Sequence, residues 1–248
     1  MSEEPSPSRK PRRGIYLLPN LFTTAALFGG FYAITAALNQ NFLAAAIAIF
    51  VAMVLDGLDG RVARMTNTQS AFGAEYDSMA DMISFGAAPA LVVYIWSLSS
   101  LGKLGWVAAF VHCAGAALRL ARFNTQIGKE DKRFFQGLPS PSAAAILAGF
   151  VWVCAEYNVA GTSVAYLTLC LSTATGLLMV SNFRYYSFKD VDLRGRVPFI
   201  KAITIMLAFA LVFTNPPLAL FLFFLGYAVS GPALTLTMLR RKRHERKV

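Results

Sequence analysis

Charge is scarce in this 248-residue sequence: Asp, Glu, Lys and Arg together make up 15% of it, where a soluble domain carries about a quarter. That shortage excludes a surface built mainly for water. Cysteine is scarce too, and Cys113, Cys154 and Cys170 stand in apolar runs without CxxC spacing. Neither a zinc site nor a disulfide framework fits them, and they read as small buried side chains. His112 is a lone histidine inside an apolar stretch and reads as a hydrogen-bonded packing residue. The sequence has no internal repeat and no low-complexity core. The segment from Leu17 to Leu38 lacks a small-residue cleavage pattern and is too long for a signal-peptide core, so it reads as a retained span.

What is present is apolar sequence in long blocks, 56% hydrophobic overall. Blocks of roughly 17 to 25 such residues are what a bilayer requires. They mark eight helices, at 17–38, 42–63, 74–99, 104–123, 141–157, 160–181, 198–214 and 216–238. Hairpin joints are expected at Asn39–Asn41 and around Asn215, Pro216 and Pro217. With the N-terminus in the cytoplasm, 22 of the 23 Lys and Arg fall on that side and only Lys103 is left outside. The positive-inside rule therefore places both termini in the cytoplasm. The fold class expected is all-α, a polytopic transmembrane bundle over 14–239, between basic tails at 1–13 and 240–248 that carry no apolar face. The net charge of +10 is assigned to this topology and to anionic membrane lipids, with no nucleic acid as partner.

Against this background four carboxylates are out of place. Asp56 and Asp59 close the second span, and Asp77 and Asp81 open the third. Unpaired acids at a membrane boundary are costly, so a function is the default explanation. Spacings of three and four residues put each pair on one helix face, and the turn between the spans brings the faces together. Four converging carboxylates repel one another unless a cation sits among them, and an all-oxygen set favours magnesium or manganese, with two ions plausible. Gly57, Gly60, Ala63 and Gly73 let a ligand approach the backbone closely, and Arg64 offers a forked donor for phosphate oxygens. Metal, glycines and arginine together describe a pyrophosphate site.

The stretch DGLDGRVARMTNTQSAFGAEYDSMAD has the form D-x-x-D-G-x-x-A-R, eight residues, then G-x-x-x-D-x-x-x-D, and so resembles the CDP-alcohol phosphotransferase family without departure. The resemblance implies a six-helix catalytic core, here with two further C-terminal helices, working as a homodimer. It implies metal on Asp56, Asp59, Asp77 and Asp81, with Asp81 also the general base. Gly60, Ala63, Arg64 and Gly73 would border the nucleotide together with Asp56. In the first span Pro19 and Asn20 suit a helix start, and the resemblance also permits Asn20 and Thr23 a contact to the nucleotide.

The acceptor alcohol rests on other residues. RRGIYLLPNLFT, SFGAAPA, RLARFNTQ and FQGLPSPSAAA resemble the bacterial integral-membrane phosphatidylserine synthase branch of the family, which implies CDP-diacylglycerol as donor, L-serine as acceptor and the bacterial inner membrane as location, with the site facing the cytoplasm. A serine carboxylate calls for arginine: Arg122 first, then Arg119, with Asn124, Gln136 and Ser142 as polar neighbours. Glycerol 3-phosphate, the acceptor of phosphatidylglycerophosphate synthase, would ask for more positive charge in the same place and is the alternative. A metal ion transporter is the reading from another class, disfavoured because such sites sit near the bilayer midplane on broken helices.

Overall fold

The computed structural model describes residues 17–66, 68, 70–126, 134–186, 206 and 212–245. Among them, six helices are long and apolar enough to cross a membrane, and Ser140–Glu156 is a shorter apolar helix. The architecture is an all-α bundle. The first two helices, α1 (Leu17–Leu38) and α2 (Phe42–Thr66), form a hairpin. Its turn carries Gln40 at φ 60°, and the Asn41 side chain accepts from the Ala44 N–H at 3.2 Å. The hairpin can close because its seam is small: Ala33, Ala37, Ala45 and Ala52 are fully buried, and a Cβ on Gly29 would stand 3.1 Å from that of Ala52. Between lipid-facing helices, close backbone approach of this kind replaces the hydrophobic drive available in water.

The third span is composite. It begins at α3 (Ala71–Asp81), where Ser70 caps the helix by accepting from the Gly73 N–H at 3.0 Å. A π-helical turn follows at Met82–Ala87, and α4 (Ala88–Trp96) completes the span. Next come α5 (Lys103–Gln126), α6 (Ser140–Glu156) and α7 (Ala165–Val180). The last helix, α8, runs Pro216–Glu245, its start capped by Asn215 accepting from the Leu218 N–H at 3.2 Å. The core lies where α1, α2, α4 and α6 meet, with Trp96 edge-on to Phe150 at 5.8 Å.

Three features depart from the sequence reading. The third span is set three residues earlier than 74–99, because Ser70 supplies a cap that hydropathy does not register. The chain also carries strands: β1 (Phe134–Gln136) pairs antiparallel with β2 (Arg184–Tyr186), Phe135 opposite Tyr185. Gly137, at φ 78°, turns β1 against the end of α7, where its N–H donates to the Phe183 carbonyl at 2.9 Å. Burial pushes the Tyr185 phenol up to about 12, which keeps it a donor to the Ala228 carbonyl at 3.0 Å. Finally, helix continues through 240–245, which hydropathy assigns to a tail because the run is basic. The 198–214 span lies outside the described residues except at 206 and 212–214, and the 1–13 tail lies wholly outside them.

Candidate active site

The four aspartates meet where the C-terminal half of α2 faces the C-terminal half of α3. Asp56, Asp59 and Asp77 each present a carboxylate oxygen within 4.8 Å of the others. Asp81 lies within hydrogen-bonding reach of Asp56, and Asp77 within that of Asp59. Two ionised carboxylates have no hydrogen to exchange, so a cation or a proton must stand between them. Asp77 Oδ1 is buried and has no hydrogen-bond partner, which leaves lone pairs available to a cation. The separation fits a hard cation, whose oxygen ligands at 2.0 to 2.6 Å span roughly 4 to 5 Å across the ion. Three aspartates can therefore hold a divalent metal, with Asp81 against their edge.

Neighbouring helices fix this arrangement. Asp59 is only 5% exposed, and its Oδ2 accepts from the Thr23 hydroxyl on α1 at 2.8 Å. Arg64, one turn and a half further along α2, is near enough for its charge to act on Asp59. Tyr76 on α3 bonds the Thr24 hydroxyl on α1 at 2.9 Å. A Cβ on Gly73 would lie 3.5 Å from Asn20 Oδ1, so Asn20, Thr23, Asp59 and Gly73 belong to one neighbourhood. Gly57 has nothing within 4 Å of where its Cβ would stand, and Gly60 has only an Arg64 nitrogen at 3.7 Å. The glycine face of α2 is open. Ala63 is half-buried beyond Gly60 on the same helix.

The acceptor residues divide. Arg122 donates to the Val180 carbonyl at 3.0 Å and to that of Ser181 at 3.4 Å, with Asn182 Oδ1 at 3.5 Å. It caps α7, whose last carbonyls lack helical partners. Gln136 donates to Asn182 Oδ1 at 2.8 Å and belongs to the same end of α7. Arg119, one turn earlier on α5, donates to Ser140 Oγ at 3.2 Å, and its charge reaches Asp81. Asn124 exchanges hydrogen bonds with Ser78, at 3.2 and 3.3 Å, on the α3 turn between Asp77 and Asp81. Ser142 is buried at the start of α6. Sequence reasoning missed Ser78 and Tyr76. Ser78 had a signal, since it falls three residues before Asp81 and so shares its side of α3.

Membrane-length helices that bring three aspartates to one point, close enough to hold a metal ion, define a membrane-embedded bundle with a candidate metal site. The family model for CDP-alcohol phosphatidyltransferase matches residues 16–178; the chain belongs to that family and is a transferase. It is 38% identical over 221 residues, 89% of this chain and 92% of the relative, to a Helicobacter pylori protein named CDP-diacylglycerol--serine O-phosphatidyltransferase. A Mycobacterium bovis protein of the same name is 40% identical over 179 residues, 68% of this chain and 62% of the relative. A Saccharomyces cerevisiae protein of that name is 35% identical over 139 residues, half of each chain.

Proposed function

We propose that this protein transfers the phosphatidyl group of CDP-diacylglycerol to the hydroxyl of L-serine and releases CMP. The observation that carries the reading is the 38% identity to the Helicobacter pylori protein across 89% of this chain, joined to an intact acidic cluster. The serine oxygen forms a bond to the phosphatidyl phosphorus, the bond from that phosphorus to the CMP phosphate breaks, and the hydroxyl proton passes to Asp81 as general base. Asp56, Asp59 and Asp77, with Asp81, would hold Mg2+ or Mn2+ as one or two ions, which when bound offset the charge on the phosphates.

The remaining residues bind and orient. Asn20, Thr23, Gly60, Ala63, Arg64 and Gly73 line the nucleotide and its phosphates. The serine carboxylate goes to Arg119, whose charge reaches Asp81 and which neighbours Ser140, while Arg122 serves as the cap of α7. Asn124, with Ser78, sits beside the incoming hydroxyl. We assign the site to the cytoplasmic side on the strength of the basic loops, and a homodimer in the bacterial cytoplasmic membrane on the family resemblance. The test supplies purified protein with CDP-diacylglycerol and either labelled serine or labelled glycerol 3-phosphate, with and without chelator. Serine-dependent, chelator-sensitive CMP release is expected; label entering lipid from glycerol 3-phosphate alone would overturn the acceptor.

A further inference from the structure

Directly after Asp81 the helix widens into the π turn at Met82–Ala87. Such turns are uncommon, and they need support because the regular ladder of carbonyls and N–H groups is broken there. The sequence supplies a reason for the break. In an α-helix the Phe85 carbonyl would accept from residue 89, and residue 89 is proline, which has no N–H. His112 on α5 stands against that carbonyl, with Nε2 at 3.2 Å from it. A carbonyl only accepts, so Nε2 carries the hydrogen. The other ring nitrogen, Nδ1, is 2.9 Å from the Thr175 hydroxyl on α7 and is then the acceptor. His112 and Phe85 are both completely buried, so no water shares the carbonyl.

The same turn is gripped elsewhere. Ser84 Oγ donates to the Ala26 carbonyl of α1 at 3.0 Å, and a Cβ on Gly30 would come 2.6 Å from that Oγ. On the opposite side a Cβ on Gly86 would come 3.1 Å from Ala116 of α5. Ser84 holds position through its bond to α1, and the glycines by close contact. His112 alone among these replaces the missing proline N–H, at the point that fixes how α3 leads into α4. One residue before the turn is Asp81, and one helical turn before that is Asp77.

We infer that His112 is a positioning residue: through the Phe85 carbonyl it fixes the π turn and thereby holds Asp77 and Asp81 of α3 against Asp56 and Asp59 of α2. It touches neither substrate nor metal. The inference rests on the phosphatidyl-transfer reading only for its activity readout.

The test uses the side-chain geometry of the ring. Glutamine can place an N–H near the position of Nε2, whereas asparagine reaches only as far as Nδ1. Full-length H112Q, H112N and H112L would be purified in detergent and compared with the unaltered protein by Mn2+ titration, by thermal melting, and by serine-dependent CMP release. H112N and H112L are expected to weaken Mn2+ binding about tenfold and to lower kcat by at least as much, with KM for CDP-diacylglycerol within about twofold. H112Q should stay within about threefold on both readouts, even where its melting temperature falls as far as that of H112N. T175V, which removes the partner of Nδ1 and leaves Nε2 on Phe85, should also stay within threefold. H112Q and H112N behaving alike, or losses that follow melting temperature alone, would overturn the inference. If the unaltered protein binds Mn2+ but takes no serine, the acceptor assignment fails instead, and the Mn2+ ranking still decides the role of His112.

Discussion

The seam between α5 and α7 and the acidic end of α2 and α3 are both rich in polar and small residues, but they use them oppositely. Along the seam the polar groups are satisfied within the protein: Ser172 donates to the Ala108 carbonyl at 3.0 Å, Thr168 to that of Val164 at 2.9 Å, and His112 bridges Thr175 and Phe85. Gly115 and Gly176 press so close that a Cβ on Gly115 would stand 2.5 Å from the Gly176 carbonyl oxygen. At the acidic end Asp77 Oδ1 has no hydrogen-bond partner and Gly57 faces open space. The seam spends its polar groups on internal hydrogen bonds, whereas the acidic end keeps a buried carboxylate oxygen that a ligand can take up. The difference separates stability from chemistry by location.

The largest effect is expected from Asp81→Asn. Loss of a general base lowers turnover by about 10²- to 10⁴-fold, so CMP release should fall by roughly a thousandfold while the melting temperature stays near that of the unaltered protein. A melting loss on the scale of a seam variant would erase the distinction. Gly176→Leu is the converse: forcing a side chain against the Val111 carbonyl, 2.6 Å from the would-be Cβ, costs about 1–3 kcal/mol, read as a drop in melting temperature, with whatever folds keeping its KM for serine. Smaller again is the pair of arginines. Arg119→Lys should raise KM for serine about tenfold, because an ammonium cannot reproduce a forked carboxylate contact, while Arg122→Lys should move melting temperature more than KM; the reverse pattern would return the acceptor role to Arg122. Least of all, Thr23→Val removes one hydrogen bond to Asp59, worth about 1 kcal/mol, and a Mn2+ titration should show an affinity several-fold weaker with the fold retained.

Much of this was legible in the sequence because two signals were strong. Hydropathy located α1 at Leu17–Leu38 to the residue, and the fixed spacing of Asp56, Asp59, Asp77 and Asp81 predicted a convergence that the structure reproduces for the first three within 4.8 Å. What escaped was set by partners distant in sequence. The π turn at Met82–Ala87 depends on α1 and α5 contacts that no periodicity encodes, although Pro89 was a visible cause. Arg119 and Arg122 are equivalent as sequence, two basic residues at one helix end, and only the position of the α7 carbonyls tells them apart. The β1–β2 pair joins three-residue segments fifty residues apart, too short to rise above the surrounding apolar pattern.

Gly57 faces open space and Gly60 meets only an Arg64 nitrogen at 3.7 Å, so this stretch of α2 carries its backbone bare between Asp56 and Arg64. A bulky side chain at Gly57 would therefore meet nothing already packed. Such a variant is expected to stay folded and metal-competent, and its turnover would report whether substrate passes along that face of α2.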